Sequence, residues 1–522
     1  MMRTSSRIVI VLSVFVSMLT AAACSSNAPK TVSNSPASSS PPSPAATKKD
    51  GPPPKIVYLS PSTVYDRKTP EEQQIHDLIQ QKTGVDVEVS FVPGDQIDNK
   101  RNLMLSAGEQ LDVFKVTLAQ AIDLYKNGAI IPLDDLINQY GPNLKKNIPA
   151  QAWAEATSDG KILGIPSMSP INLGAVLQIR SDWLKNVNLP MPATIEELEK
   201  TMDAFLSQDP DKNGKKDTFP LSTAGNTFIN LENAFAPFFL PQGMAWWKDQ
   251  NGKIMPPELH PGYKDMMDKL IEWNKKGYIW PDMLLSKTDK QKELIAQNKV
   301  GIAAGNYSST ITQALEVLIK SVPEANYEPF ALQGKGINKY PTLAPATQFA
   351  VVAKKSKNPE AVVKFLDYTA TKEGNLTVLY GREGKDYTKL PNGTFEFNAE
   401  DKTDYTKANY YARYFVIQMV LDDLPMFPFN TWSDQKYTEM QRKVNKLPNF
   451  DPLDRGVFFD QAQWKSQPKL KDIDTYMTEQ KTKVFTGDVP LANWDKLMDE
   501  WRKMGGNQMI EDRNAQFAQA KK

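Results

Sequence analysis

A nine-residue stretch of the chain has the residue types and spacing of a calcium-binding loop. Side-chain oxygens stand at its first, third, fifth and ninth positions, glycine is sixth, and a backbone carbonyl is available at the seventh. Because Ca²⁺ is a hard cation, it prefers several oxygen ligands converging from such a turn. The alternative is a solvated turn rich in Asp and Asn, since Pro220 replaces the glutamate of an EF-hand. We predict a structural calcium site formed by Asp209, Asp211, Asn213, the Lys215 carbonyl and Asp217.

Other chemically reactive residues are scarce. Cys24 is the only cysteine of the 522 residues, and His76 and His260 are the only histidines. Disulfides, cysteine nucleophiles and Cys-rich zinc sites are therefore excluded from the part of the chain that follows Cys24. No G-x-S-x-G, H-E-x-x-H or P-loop motif occurs. Acid–base chemistry would depend on carboxylates, lysine or tyrosine, so the composition favours binding over catalysis.

The single cysteine follows an N-terminal leader. Two arginines precede the apolar run 8–19, which is long enough for the core of a signal peptide and too short to span a bilayer. Three alanines then lead to Cys24, a pattern that resembles a bacterial lipobox, although Ala21 replaces the usual leucine. We predict a signal peptide at 1–23 and a diacylglycerol anchor on Cys24. The alternative is an ordinary signal peptide that leaves a free thiol.

The segment 24–54 is rich in Ser, Pro and Ala and has almost no large apolar side chains. It cannot bury a core, so we predict a disordered tether that reaches roughly 90 Å when extended, at ~3 Å per residue. No later run is apolar enough to span a membrane. We therefore expect the folded body to lie at the extracellular face of the membrane, held by the lipid anchor.

The charge balance excludes one class of partner. Lys and Arg total 62 against 61 Asp and Glu, and without the two leader arginines 60 basic residues remain. No basic stripe stands out, so nucleic acid is not expected as a partner. The hydrophobic content of 40% and aromatic content of 10% are typical of a folded globular protein.

Strand and helix patterns alternate through the body, which predicts an α/β fold with parallel strands and helical crossovers. Capping boxes at 69–72 and 194–197 each begin a helix, and Asn358 followed by a proline predicts a third helix start. The predicted strands are 55–59, 85–91, 111–114, 161–167, 300–304 and 349–353, and the main predicted helices are 96–107, 119–127, 194–206, 261–276 and 360–370.

Several longer stretches carry a family resemblance. They are NLMLSAGEQLDVF at 102–114, GIPSMSPINLGAVLQIRSDWLKNVNLPMPATIEELEKTMDAF at 164–205, KNPEAVVKFLDY at 357–368, YGREGKDY at 380–387 and LANWDKLMDEWRKMGG at 491–506. Together they resemble the extracellular solute-binding proteins of carbohydrate ABC importers, above all the large Gram-positive lipoproteins related to alginate-binding proteins. In those relatives a glutamate follows the last aspartate of the calcium loop, and Thr218 stands there in this chain.

The resemblance implies two α/β lobes of the periplasmic-binding-protein type II class, joined by a hinge that the chain crosses several times. The implied lobes are 55–165 plus about 345–415, and about 168–342 plus 416–522. The implied crossings lie near 165–167, near 342–348 and within 385–435. The implied function is capture of a sugar or oligosaccharide by a monomer and delivery to ABC permease subunits. The alternatives are a surface polysaccharide hydrolase or lyase, and a ligand-sensing partner of a sensor kinase.

Candidate ligand contacts follow from the chemistry of sugars, whose C–H faces stack on aromatic rings and whose hydroxyls bond to polar side chains. Trp183, Trp273, Trp494 and Trp501 lie in helical patterns and are expected in the core. The aromatic candidates outside such patterns are Trp247, Tyr307 and Trp432, and the polar candidates beside strands or turns are Asp112, Asn226 and Gln348.

Overall fold

Two larger sheets organise the chain. The computed structural model describes residues 51–61, 70–169, 173–223, 228–285, 288–306, 309–391, 395–398, 414, 416–420 and 432–520. Within these residues one sheet has five strands and the other has four, and helices pack on both. The predicted α/β class is therefore confirmed. Residues from Pro53 onward form one compact unit, whereas Cys24 and most of the predicted tether lie outside the described residues.

The described strands range from two to seven residues. They are β1 Lys55–Ser60, β2 Asp86–Phe91, β3 Val113–Val116, β4 Thr157–Ser158, β5 Lys161–Ile162, β6 Ile165–Met168, β7 Ala175–Arg180, β8 Phe219–Thr223, β9 Trp247–Lys248, β10 Ile254–Met255, β11 Val300–Asn306, β12 Tyr327–Phe330, β13 Tyr340–Pro341, β14 Ala346–Val352, β15 Tyr387–Lys389, β16 Phe395–Phe397 and β17 Asn449–Phe450.

The described helices are more numerous than the sequence patterns predict. They are α1 Pro70–Thr83, α2 Ile97–Ala107, α3 Leu118–Lys126, α4 Asp134–Tyr140, α5 Pro142–Asn147, α6 Ala150–Glu155, α7 Ser181–Asn186, α8 Ile195–Ser207, α9 Ile229–Phe235, α10 Pro261–Lys275, α11 Thr288–Ala296, α12 Ser309–Leu318, α13 Pro359–Thr369, α14 Lys372–Tyr380, α15 Trp432–Val444, α16 Leu470–Thr486, α17 Trp494–Trp501 and α18 Asn507–Ala520.

The first sheet has the order β2-β1-β3-β14-β6. Strands β1, β2 and β3 are parallel, and β14 runs antiparallel between β3 and β6. Tyr58 and Val113 on one face of this sheet and Leu59 and Phe114 on the other are buried, so both of its faces are covered, as expected for strands joined by helical crossovers. We refer to this sheet and its helices as lobe 1.

The second sheet has the order β12-β7-β11-β8. Strands β8 and β11 are parallel, whereas β7 runs antiparallel to both β11 and β12. Its core contains the fully buried Trp183 and Trp273, as their helical spacing predicts. Gly301 is required within β11, because a Cβ atom there would lie 2.4 Å from the ring of Phe205. We refer to this sheet and the helices of the C-terminal part as lobe 2.

Helix α8 shows how local sequence fixes an element in lobe 2. Thr194 caps it by accepting a hydrogen bond from the Glu197 backbone N–H, as the capping-box motif predicts. Leu198, Met202 and Phe205 follow at helical spacing and are fully buried. The helix ends at Ser207, which places the Asp209 loop directly after its carboxyl end.

Asn358 behaves differently from the prediction. Helix α13 begins at Pro359, where the sequence predicts it, but the Asn358 side chain makes no capping bond. Its Nδ2 donates instead to the backbone carbonyl of Lys55, 2.9 Å away, and so connects the start of α13 to β1.

Candidate functional site

The carboxyl ends of the parallel strands of both sheets meet where the chain passes between the lobes. In lobe 1, β6 ends at Met168 beside the beginning of β14 at Ala346. In lobe 2, β7 begins at Ala175, paired with the last residue of β11, Asn306. Because only a few residues separate Met168 from Ala175, the two carboxyl edges face the same crossing. Ligands of open α/β sheets bind outside such edges, so this crossing is the candidate site.

The passages between the lobes lie side by side. The backbone N–H of Ser169 donates to the carbonyl of Pro345 at 2.8 Å, and Met168 donates to Gln418 at 2.7 Å. On the other side, β13 pairs in parallel with β17. Four segments of the chain therefore form a hydrogen-bonded layer between the lobes.

A cavity of about 1150 Å³ lies beside this layer. Lobe 1 contributes one face of α3 along its whole length, the end of α6 and the turn at 157–160, while 452–463 and α18 contribute the opposite wall. The crossing itself contributes residues 342–347 except Pro345. Volumes of 300–1000 Å³ suit drug-sized ligands, so this cavity has room for several sugar rings.

The cavity wall combines aromatic rings with charged groups. Phe458 and Phe459 lie on the 452–463 segment, and Phe458 also packs against the core of lobe 1. Lys126 lies 3.5 Å from Asp460, between Nζ and Oδ2, which connects α3 to this segment. Arg513 of α18 forms an ion pair with Asp454. Ring faces and hydrogen-bonding groups are thus available together, as binding of a sugar requires.

Arg455 and Glu155 form the third charged contact of this wall. Nη1 of Arg455 lies 3.9 Å from Oε1 of Glu155, and both side chains are about 15% exposed. Nη2 of Arg455 also donates to the carbonyl and the hydroxyl of Thr342 in the crossing. Burial raises the pKa of Glu155 above its ordinary value, and the nearby Arg455 partly offsets that rise.

Sequence reasoning missed these wall residues. Segment 452–463 lacks the periodicity of either helix or strand, so pattern analysis assigned it no role. The available signal was the run from Asp454 to Asp460. It contains two adjacent phenylalanines, a glycine at 456 and charged residues at both of its ends. Binding residues are often carried by such loops, and here both rings are half-buried.

The predicted polar contacts have different environments. Gln348 is an exposed residue of β14, paired with Ser167 at the carboxyl edge of lobe 1. Asp112 is fully buried just before β3, at the opposite edge, where it accepts from the Val57 backbone N–H and the Ser356 hydroxyl. That position does not fit the predicted ligand contact, because Asp112 holds β1, β3 and the start of α13 together. Asn226 lies outside the described residues, shortly after β8 ends.

The predicted aromatic contacts also have different environments. Trp432 is the first residue of α15 and is 37% exposed. Trp247 is half-buried in the β9–β10 hairpin, where its ring packs edge-on against His260 and Nε1 donates to the Pro256 carbonyl at 3.1 Å. Tyr307, which follows β11 directly, lies outside the described residues. None of the predicted aromatic contacts in the described residues lines the 1150 Å³ cavity.

The loop 209–217 folds around its own side chains. Both oxygens of Asp209 accept backbone N–H groups, from Asn213 at 3.1 Å and Gly214 at 2.9 Å. Gly214 has φ +77°, the left-handed conformation that its place in the motif predicts. Lys215 donates its backbone N–H to Oδ1 of Asn213, 2.7 Å away.

Three carboxylates come close together in this loop. Nδ2 of Asn213 donates to Asp211 Oδ2 at 2.7 Å and to Asp217 Oδ1 at 3.0 Å. Oδ1 of Asp211 is buried and accepts no hydrogen bond. Burial, together with the neighbouring Asp209, raises the pKa of Asp211 to about 6. The Thr218 hydroxyl donates to the Phe205 carbonyl at 2.7 Å.

Within the described residues, no group of three or more His, Cys, Asp or Glu side chains is arranged to hold a metal ion. In the 209–217 loop the Asn213 amide stands between Asp211 and Asp217 and donates a hydrogen bond to each. The donor set itself consists of oxygens, which is the set that Ca²⁺ prefers. Across the described helices, none is both long and apolar enough to cross a membrane.

Related sequences were found along nearly the whole chain. Over 476 residues, which is 88% of this chain and 90% of the relative, the sequence is 26% identical to the polygalacturonan/rhamnogalacturonan-binding protein YtcQ of Bacillus subtilis (strain 168). It is 24% identical over 477 residues to lipoprotein LipO of the same organism, which covers 89% of this chain and 91% of LipO.

Solved structures share the fold. The alginate-binding protein AlgQ2, in a structure without calcium ion, superimposes with a TM-score of 0.60 at 22% identity over 89% of this chain and 98% of its own. An EF-hand mutant of the Streptococcus pneumoniae substrate-binding protein FusA, in complex with fructo-nystose, gives 0.58 at 19% identity over 90% and 99%. These likenesses support the two-lobe α/β fold.

Residues 68–376, more than half of the chain, match the family of bacterial extracellular solute-binding proteins. Members of such a family bind a solute and do not transform it, which excludes the surface hydrolase or lyase considered from the sequence. The chain therefore belongs to the bacterial extracellular solute-binding proteins, as its sequence resemblance predicts.

Proposed function

We propose that this solute-binding protein captures an oligosaccharide between its two lobes and delivers it to the permease of an ABC importer. The observation that carries the proposal is the 1150 Å³ cavity beside the crossing, whose wall combines Phe458 and Phe459 with charged side chains from both lobes. The relatives YtcQ and FusA, whose names and complexes refer to saccharides, support the same ligand class.

Closure of the lobes over the ligand follows from this placement. Lobe 1 supplies one wall of the cavity and the C-terminal part of lobe 2 supplies the other, so a ligand that contacts both stabilises the arrangement that brings them together. Closure would also exclude water from the rings and hydroxyls at the interface.

A thermal-shift screen of plant and algal oligosaccharides, followed by calorimetry and small-angle scattering on each hit, tests the proposal. We expect at least one oligosaccharide to bind without being converted and to reduce the radius of gyration. Formation of products without any change in radius, or the absence of binding across a broad oligosaccharide panel, would contradict it.

We propose in addition that the 209–217 loop binds a structural calcium ion through Asp209, Asp211, Asn213, the Lys215 carbonyl and Asp217. The buried Asp211 oxygen that accepts no hydrogen bond supports this assignment, because a cation would satisfy it. A rotation of the Asn213 amide would replace its two donor contacts with an oxygen ligand. The related structures of AlgQ2 without calcium and of a FusA EF-hand mutant are consistent with a calcium loop in this fold.

The lipid anchor on Cys24, the signal peptide at 1–23 and the tether at 24–54 complete the proposal. They would hold a monomeric body at the extracellular face of the membrane, close to permease subunits, and the relative LipO is itself a lipoprotein.

We also propose that the third passage between the lobes follows Met419, because Val416, Ile417 and Met419 belong to the lobe 1 core and Tyr437 belongs to the lobe 2 core.

A further inference from the structure

We propose that the ligand is a neutral oligosaccharide and that the cavity discriminates against uronates, the carboxylate-bearing sugars of acidic polysaccharides. This inference rests on the proposed function and names the substrate class of the same cavity. Its basis is the pairing of charges on the cavity wall. Among the described lining residues three are basic and four are acidic, so the wall has a net charge of −1 with all of them ionised.

The three basic side chains are already engaged by carboxylates of the protein. Lys126 Nζ lies 3.5 Å from Asp460 Oδ2, and Asp460 accepts further hydrogen bonds from Gln463 and from the Ala462 backbone. Arg455 lies against Glu155 and gives its second terminal nitrogen to Thr342. A ligand carboxylate would have to displace Glu155 or Thr342 to reach the mostly buried guanidinium of Arg455. Lys126 is half exposed and could offer one further N–H, but the Asp460 carboxylate beside it offsets its charge.

Arg513 is held by a carboxylate and two aromatic rings, and its Nε is buried without a hydrogen-bond partner. Its Nη2 donates to Asp454, and its guanidinium carbon lies 3.7 Å from the ring centroid of Phe459 and 4.6 Å from that of Trp246. The aromatic contacts and the protein carboxylate hold the guanidinium in this arrangement. Recognition of a uronate by Arg depends on a free bidentate edge, which this arrangement does not offer.

The fourth carboxylate of the wall belongs to Asp159. It is exposed, it lines the cavity, and it makes no ion pair within the described part of the chain. A carboxylate is purely a hydrogen-bond acceptor when ionised, so it suits a sugar hydroxyl and repels a ligand carboxylate. The wall therefore offers acceptors and ring faces, which match neutral hydroxyl-rich sugars.

Calorimetric titration of the calcium-loaded full chain tests the inference. The probes are neutral fructo-, galacto- and manno-oligosaccharides, and oligogalacturonates of equal length, at 50 mM and 500 mM NaCl. We expect a neutral oligosaccharide to bind at least tenfold more tightly than any oligogalacturonate, and the weak uronate binding to strengthen at high salt, since screening reduces repulsion. Uronate binding that is equal or tighter would overturn the inference and leave the proposed function standing. Binding of neither class would overturn both.

A charge-neutralising variant provides the matched test. Asp159 has φ +49°, and Asn accepts this left-handed conformation as readily as Asp does. Asp159→Asn should raise oligogalacturonate affinity about threefold relative to the neutral sugar, as expected for a unit charge ~6 Å from a ligand carboxylate in water. Asp495→Asn removes the same charge from α17, which does not line the cavity, and should leave the ratio unchanged. Equal ratios in wild type and Asp159→Asn would contradict a wall that selects by charge.

Discussion

Arg455 and Glu155 connect the C-terminal segment to lobe 1 at the place where the chain crosses between the lobes. Nη1 of Arg455 lies 3.9 Å from Oε1 of Glu155, and the other terminal nitrogen donates to Thr342 in the crossing itself. Both side chains are mostly buried, so each depends on the other for compensation of its charge. The contact therefore belongs both to the cavity wall and to the passage between the lobes.

Replacement of Arg455 by Met should destabilise the protein in a pH-dependent way. Burial already raises the pKa of Glu155, and loss of the neighbouring cation raises it further. A raised carboxyl pKa in the folded state means that the stability cost is present at high pH and is lost as the pH falls through the folded pKa. We expect a loss of about 1–2 kcal/mol in the free energy of unfolding at pH 7.5, less than for a fully buried pair, and a smaller loss at pH 5.

Urea denaturation of wild type and variant at both pH values measures this effect. The double variant Glu155→Gln/Arg455→Met is the control, because without the carboxylate the difference between the two pH values should disappear. An Arg455→Met penalty that is the same at pH 5 and pH 7.5 would show that Glu155 does not respond to Arg455.

Two tryptophans provide a comparison between ligand binding and packing. Trp432 is exposed at the start of α15 and lies outside the described cavity wall. If it is the stacking platform that the sequence predicts, Trp432→Ala should weaken oligosaccharide binding by about 1–3 kcal/mol with little effect on melting temperature. Trp247 packs on His260 and bonds to Pro256, so Trp247→Ala should instead lower stability by about 1–2 kcal/mol.

Calorimetry and thermal melting of both variants separate the two roles. If Trp432→Ala binds as tightly as wild type, Trp432 is not a stacking platform. If Trp247→Ala melts like wild type and loses affinity, the ligand contact predicted from the sequence is the better description of Trp247.

A buried charged cluster in lobe 2 predicts a large effect of a single substitution. Lys481 Nζ lies 3.1 Å from Glu232 and 2.5 Å from Glu258, and Glu232 is 1% exposed and also accepts from the Tyr263 hydroxyl. Lys481→Met would leave Glu232 as a buried charge without its cation, which costs about 3–5 kcal/mol. Because burial raises the pKa of Glu232, acidification should reduce that cost.

Chemical denaturation at pH 7.5 and pH 5 measures the Lys481→Met penalty. Glu232→Gln/Lys481→Met is the matched control and should recover part of the lost stability, since no charge remains at position 232. A single variant within 1 kcal/mol of wild type would contradict a role of Lys481 in compensating the two glutamates.

Calcium removal should destabilise lobe 2 if the 209–217 loop holds the ion. Binding to the native state alone stabilises by RT ln(1 + [L]/Kd), ~2.7 kcal/mol at a hundredfold excess over Kd. Chelation should therefore lower the melting temperature of wild type, and Asp211→Ala should remove most of this sensitivity because it deletes the buried carboxylate. Identical melting with and without chelator, in protein that contains no calcium by metal analysis, would disprove the site.

Asp249→Ala is a suitable control for the calcium experiment. Asp249 also accepts backbone N–H groups within a turn, from Asn251 and Lys253, but its turn lacks the other carboxylates of the loop. This variant should keep the full response to chelator. A response lost in both variants would indicate a general effect of turn disruption.

The sequence predicts the elements of this fold well where local signals act alone. The capping box at Thr194, the glycine that follows α2 and the proline that begins α13 each mark a boundary that the structure reproduces within a residue or two. Period-two runs such as β2 and buried runs such as β14 are also found, because their patterns reflect burial on one or both faces.

Contacts distant in sequence could not be predicted in the same way. Asp112 is polar and precedes a strand, which fits a ligand contact, but its bonds to Val57 and Ser356 depend on which segments become neighbours. The cavity wall likewise joins Glu155 to Arg455 across 300 positions of sequence. A single sequence has no signal for such pairing, whereas the calcium-like loop could be recognised because its residues are contiguous.

The final prediction concerns Cys24, which lies outside the described residues. The prediction rests on the lone cysteine, which comes after an apolar run and three alanines and is followed by a segment rich in Ser and Pro. Cys24→Ser removes the thiol that would receive diacylglycerol, so we expect the variant either to be released from the membrane or to retain its signal peptide. Detergent partitioning and mass spectrometry of the mature N-terminus measure both outcomes.

Replacement of the neighbouring Ser25 by Ala is the control, because it changes the same region and leaves the thiol in place. A Cys24→Ser protein that partitions into detergent like wild type, with its signal peptide removed, would show that the anchor is not a lipid on this cysteine.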